Sequence, residues 1–277
     1  MGHKPRSADF RRQLIAAVQY AGGYALEQWR DRRYAVRLKG DKDPVTDADV
    51  AVEALLAESL DKIAPGAAFI GEERYRGEEI VEGWVVDPID GTVNFAAGHP
   101  MFAVNVVWFE QGQPVTQVTF APAMGELYWS SQGEGAWLNG TALRVRDCAD
   151  LRQAVGATGF PYWVAERSDD VNNVNAMGRV LKASRAVRRG GCAALDLAYV
   201  AAGRFDFYWE PGLKVWDIAG GVLMVREAGA VVTGYDGLPM RSWFSPILAS
   251  APGIHSALVE LLRPYDVAEM DLPRIFA

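Results

Sequence analysis

The sequence predicts a layered α/β protein, with helices packed on two sheets. Three observations carry this. Apolar runs of strand length alternate with helical periodicities at both ends of the chain, while the stretch from Phe102 to Leu138 reads as short strands joined by tight turns. Half of the 277 residues are hydrophobic, enough to bury a large core. No repeat, low-complexity tract or linker interrupts the pattern, so residues 1–277 are expected to form one domain, any subdivision falling near residue 150.

Phe10, Leu14, Val18, Ala21, Ala25 and Trp29 recur at helical spacing, so a helix is predicted over 8–32, weakened in its middle by Gly22-Gly23. Asp41 to Val45 is polar and turn-like. Thr46 then reads as an N-cap, with Asp47 and Asp49 in the first turn of a second helix. Val52, Leu55, Leu56 and Ile63 are its apolar face, and Pro65-Gly66 ends it. Buried strands are predicted at 67–71 and 83–87, then an antiparallel set at 102–109, 115–120, 126–130 and 136–138. Beyond Gly159 the alternation returns. Helices are predicted at 166–182, 193–202, 216–228 and 253–263, and strands at 185–188, 205–209, 230–233 and 247–250, with Gly229 closing a helix.

The formal net charge of −7 argues against nucleic acid or an anionic membrane as partner. It leaves a phosphorylated small molecule open, because bound cations invert a local field. Cys148 and Cys192 make neither a disulfide framework nor a zinc site. With few thiols, no signal-like segment and no apolar run of spanning length, a cytoplasmic location is expected.

The chemistry concentrates in three acidic clusters: Gly71-Glu72-Glu73, Asp87-Pro88-Ile89-Asp90-Gly91-Thr92 and Trp216-Asp217. The first two follow apolar runs, at strand ends where α/β folds place ligands. The third opens a helix. If the fold brings them together, four carboxylates share a small volume and repel unless a hard cation neutralises them; Mg²⁺ is the first choice, and more than one ion suits four acids. The Ile89 carbonyl is a further hard oxygen. Gly91 allows close approach, and Thr92 can cap a helix and offer N–H groups to an anion. One of Glu72 and Glu73 could orient a water as general base. Metals beside an anion cradle suit phosphate ester hydrolysis. Taken singly, Gly-Glu-Glu also reads as a solvated turn, and Asp49 and Asp217 as dipole-complementing residues. Nucleophile-pair and P-loop signatures are absent from the sequence.

Together these segments resemble the inositol monophosphatase family. The resemblance runs through residues 43–49, 71–73, 87–95, Gly190-Gly191-Cys192-Ala193-Ala194-Leu195-Asp196 and Trp216-Asp217-Ile218-Ala219-Gly220, in matching order and approximate spacing. Gly159-Phe160-Pro161 and residues 198–204 are most similar to its bacterial branch. The resemblance implies an αβαβα sandwich, a homodimer and hydrolysis of a phosphate monoester with two to three Mg²⁺ ions. It implies that Glu72, Asp87 and the Ile89 carbonyl hold one ion, that Asp87, Asp90 and Asp217 hold a second, and that Glu72 helps a third with Asp49 nearby. Gly91 and Thr92 would bind phosphate through backbone N–H groups, and Glu72 and Thr92 would position the attacking water. Asp90, Gly191, Ala193, Glu210 and Asp217 would face the alcohol. A loop lysine is also expected, Lys39 or else Lys42. The substrate stays open among inositol phosphates, fructose 1,6-bisphosphate, histidinol phosphate and 3′-phosphoadenosine nucleotides; a regulatory protein of the transcription machinery is the alternative of another class. Arg185, Arg188 and Arg189 either hold a second phosphate or form a solvated basic edge.

Overall fold

The computed structural model describes residues 5–39, 44–75, 77, 81–162 and 172–266. Helix α1 (Ala8–Asp31) opens where the Ser7 hydroxyl accepts the Phe10 N–H at 3.2 Å. It runs unbroken through Gly22-Gly23. A Cβ at Gly22 would stand 2.5 Å from the Phe120 ring, so this glycine lets the helix lie close on the sheet rather than weakening it. Strands β1 (Val36–Leu38) and β2 (Pro44–Thr46) pair as a small antiparallel ribbon; β2 overlaps the turn expected at 41–45, and the exposed β1 carries no apolar run to mark it. Helix α2 (Asp47–Ile63) starts at Thr46 in a capping box. The Thr46 hydroxyl accepts the Ala48 and Asp49 N–H groups, and the Asp49 carboxylate accepts the Thr46 N–H at 2.8 Å.

Strands β3 (Phe69–Gly71) and β4 (Gly83–Asp90) run parallel. The six-residue helix α3 (Thr92–Ala97) follows. Its N-cap is Gly91, at φ 89°, so Thr92 is its first residue and not its cap. Then β5 (Ala103–Glu110), β6 (Gln113–Ala121), β7 (Glu126–Ser131), β8 (Gly135–Leu138) and β9 (Thr141–Ala142) complete a seven-stranded sheet in the order β3-β4-β5-β6-β7-β8-β9.

The chain next builds a five-stranded sheet in the order β11-β10-β12-β14-β13. Its elements are β10 (Val155–Thr158), α4 (Val174–Ala183), β11 (Ala186–Arg188), α5 (Ala193–Ala201), β12 (Phe207–Glu210), α6 (Val215–Glu227), β13 (Val231–Thr233), β14 (Ile247–Ser250) and α7 (His255–Leu262). The predicted helix at 166–182 is α4 in its described part; residues 166–171 lie outside the described residues. Strand β10 was not foreseen, because Val-Gly-Ala-Thr has weak strand propensity, yet it is central, paired on both sides.

Helices α1 and α2 cover one face of the larger sheet around Trp84, Phe95 and Trp108. Helices α5 and α6 lie between the two sheets, and α4 and α7 cover the far face of the smaller one. The result is an αβαβα sandwich. A central-layer helix meets protein on every side, so α6 is apolar nearly all round, from Trp216 to Val225.

Candidate active site

All eight residues of β4 are buried, including its two acids. In a regular strand Asp87 and Asp90, three apart, would face opposite sides. Here the pairing slips: Asp87 opposes Asn105 and Asp90 opposes Ala103, so three steps on β4 match two on β5. That one-residue bulge turns both carboxylates to the same side. Pro88, which has no N–H to lose from the ladder, suits it, and the Ile89 N–H donates to Asp87 Oδ1 at 3.1 Å.

The parallel partner β3 delivers Glu72 beside Asp87, with the Glu72 N–H bonded to the Val86 carbonyl at 3.1 Å. Lys39 Nζ reaches Glu72 Oε1 at 3.0 Å and Glu73 Oε1 at 2.6 Å. Burial works against its ammonium, but these two charges outweigh burial and hold its pKa above the ordinary lysine value. Of the two lysines expected, Lys39 stands against the Glu72–Glu73 pair, and Lys42 lies outside the described residues.

Asp49, one turn into α2, is 1% exposed. Its Oδ1 stands 3.2 Å from the Thr92 hydroxyl, which is also 3.0 Å from the Ile89 carbonyl. One hydroxyl proton serves these two acceptors, which leaves the Thr92 oxygen with lone pairs to offer.

Asp217 arrives on the first turn of α6, where its carboxylate accepts the Lys214 N–H at 2.7 Å. Asn105, opposite Asp87, donates to the Trp216 carbonyl at 2.6 Å and accepts from Thr119 at 2.8 Å. One buried amide thus registers the start of α6 against the bulged end of β4. At Gly220 a Cβ would stand 2.7 Å from Asn105 Oδ1, so glycine permits that approach.

On the far side of Asp90, its Oδ2 accepts the Ala194 N–H at 2.6 Å and the Cys192 thiol at 3.3 Å. The Asn94 amide ties α3 to the carbonyls of Met101, Gly190 and Gly191 at 2.8, 2.9 and 3.3 Å. Glu210 ends β12, buried and bonded by the Tyr208 hydroxyl. The basic segment divides. Arg189 abuts Gly191, and its charge acts on Glu210 and Asp196, whereas Arg185 lines a separate groove with Arg146 and Asp150.

Electrostatics join these acids into one group. Burial, then the charges of Glu72, Asp90, Asp217 and Asp49, push Asp87 well above the carboxylate range. Burial, then Asp90 and Glu72, do the same to Asp217. Burial raises Asp90 and Asp49 each to about 6, and Glu210 and Glu73 each to about 7. A cluster of oxygens so mutually repelled fits hard divalent cations. Among the described residues no three of these side chains stand drawn together around one point; each holds a local partner instead, Lys39, Lys214 N–H, Ala194 N–H or Thr46.

Sequence reasoning missed Glu53 and Asn105, and gave Asp196, named only within the 190–196 segment, no role. Glu53 falls four residues after Asp49, the one signal that places it on the same face of α2. Asp196 Oδ1 is buried without a hydrogen-bond partner among the described residues, and burial followed by Glu210 and Asp90 raises its pKa strongly.

A family model described as "Inositol monophosphatase family" matches residues 8–266. The inositol-1-monophosphatase of Mesorhizobium japonicum is 42% identical over 84% of this chain and 87% of its own length. That of Caulobacter vibrioides is 39% identical over 90% and 99%, and the Nus factor SuhB of Escherichia coli K12 is 38% identical over 81% and 84%. Among solved structures, the extragenic suppressor protein SuhB of Bartonella henselae superposes with a TM-score of 0.84 at 36% identity, covering 92% of this chain and 99% of that one. The Thermotoga maritima IMPase does so at 0.82 and 32%, covering 91% and 95%. The chain belongs to the inositol monophosphatase family.

Proposed function

We propose that this phosphatase hydrolyses inositol monophosphate to inositol and phosphate, with Mg²⁺ bound among Glu72, Asp87, the Ile89 carbonyl, Asp90 and Asp217, and Asp49 beside a third ion. What supports it is that buried and half-buried acids carried by β4, α2 and α6 and by the residue after β3 lie near enough for their charges to act on one another. The names of the inositol-1-monophosphatase relatives support the substrate. When bound, the cations would polarise water and phosphate and neutralise the carboxylates.

The protein groups have separate tasks. Glu72 and the Thr92 hydroxyl accept hydrogen bonds from the attacking water and aim it at phosphorus, and the Thr92–Asp49 contact fixes that hydroxyl. The Gly91 and Thr92 N–H groups would hold phosphate oxygens, at a chain reversal only glycine adopts easily. Water adds to phosphorus as the bond to the alcohol oxygen breaks; the water gives up one proton, the alcohol oxygen takes one up from solvent, and the alcohol leaves toward Asp90, Gly191, Ala193, Glu210 and Asp217. Glu210, whose Oε2 accepts from Tyr208, would accept from a polyol hydroxyl.

The relatives named Nus factor SuhB favour a second, added role in contacting transcription machinery. Phosphate release at fixed Mg²⁺ should be compared across inositol 1-phosphate, fructose 1,6-bisphosphate, histidinol phosphate and 3′-phosphoadenosine 5′-phosphate. The proposal expects the highest kcat/KM on inositol 1-phosphate. A higher value on another ester would overturn the substrate, and no release from any would leave the second role standing alone.

A further inference from the structure

Helix α2 turns two acids inward, one turn apart. Asp49 faces Thr92, and Glu53, 1% exposed, faces the loop after β3. Glu53 Oε2 accepts the Glu73 N–H at 2.9 Å, and its Oε1 pairs with Arg74 Nε at 3.0 Å. A Cβ at Gly71 would collide with this carboxylate, so the glycine before Glu72 makes room for it. On the other side the Glu72 N–H is bonded to the Val86 carbonyl of β4. The two peptides flanking the Glu72 side chain are therefore clamped in opposite directions, one by the sheet and one by Glu53. Burial and the Glu72 charge both disfavour a carboxylate at Glu53. The Glu73 and Arg74 bonds offset that penalty, and an apolar residue would carry none of it.

We propose that Glu53 is a positioning residue: its carboxylate holds the 72–73 peptide so that the Glu72 side chain faces Asp87, and in this way sets the affinity of the acidic cluster for Mg²⁺. This rests on the reading of that cluster as a cation site. Glu53 is not itself placed as a ligand, since its two oxygens are turned to Glu73 and Arg74.

The test is calorimetric titration of substrate-free protein with Mg²⁺, alongside melting temperature and kcat. Glu53→Leu, which removes the acceptor, should weaken Mg²⁺ binding about 10–100-fold, with kcat recovering to within about threefold of wild type once Mg²⁺ saturates. Glu53→Gln keeps an acceptor for the Glu73 N–H and should stay within about threefold in Mg²⁺ affinity. A folded Glu53→Leu variant with a lowered melting temperature and unchanged Mg²⁺ affinity would reduce Glu53 to a structural residue and overturn the proposal. Should Glu53→Leu not fold, Arg74→Ala decides: weaker Mg²⁺ binding supports the clamp, and wild-type binding overturns it. Wild-type protein that binds no Mg²⁺ would instead overturn the cation site, and the Glu53 proposal with it.

Discussion

Asp90 serves two neighbourhoods at once. Its charge acts on Asp87 and Asp217, while its Oδ2 holds the N-terminus of α5 through the Ala194 N–H. An asparagine keeps an acceptor for that N–H but loses the charge. Asp90→Asn should therefore stay folded, with a melting temperature within a few degrees of wild type, and lose about 100-fold or more in kcat at saturating Mg²⁺. Near-normal turnover by the folded variant, measured by phosphate release, would refute the role of Asp90. At this scale the sequence was most legible where an acid follows an apolar run, as at Glu72 and Asp87. It was least legible where an acid sits inside a helix. Glu53 resembles any polar residue of an amphipathic helix until Gly71 is seen packed against it.

The bulge in β4 and the seating of α6 decide whether separate acids become one site. The bulge has no sequence signature beyond Pro88, which is why the convergence of Asp87 and Asp90 could be read from the motif while its cause could not. The long periodic elements were readable: α1, α2, α6 and the meander from β5 to β8 follow their apolar patterns closely. The short strands β1, β2 and β10 were not: unlike the equally short β13 and β14, whose apolar runs stand out, they are interrupted by Arg37, Pro44 or Gly156. Gly220→Ala tests the seating of α6. Its methyl would press on the Asn105 amide that bonds the Trp216 carbonyl. The variant should lose about 1–3 kcal/mol in urea unfolding and bind Mg²⁺ more weakly, because Asp217 rides on the same turn. A variant unchanged in both would show that α6 is not held in register by this contact.

Across the whole molecule, the sandwich buries a set of acids that water would otherwise solvate, and stability should record it. The ordinary aspartate value is 3.8, whereas burial raises Asp49 and Asp90 to about 6, and burial with neighbouring acids raises Asp87 and Asp217 well above 3.8. Groups with raised folded-state values favour folding when protonated. That contribution is full below the unfolded value and is lost as pH rises through the folded one. Cation-free protein should accordingly melt at a lower temperature at about pH 8 than at about pH 5, and Mg²⁺ should raise the melting temperature more at the higher pH. A larger Mg²⁺ gain at the lower pH would contradict this linkage. Among the described residues no helix is long and apolar enough to cross a membrane.

The most direct measurement is phosphate release from inositol 1-phosphate by chelator-treated protein as Mg²⁺ is titrated back. Release should start at background, rise with Mg²⁺ and saturate over the range in which calorimetry shows binding. Turnover that persists under chelation, or a folded, Mg²⁺-saturated protein that releases nothing, would contradict the assignment of these converging acids as a Mg²⁺-dependent phosphatase site.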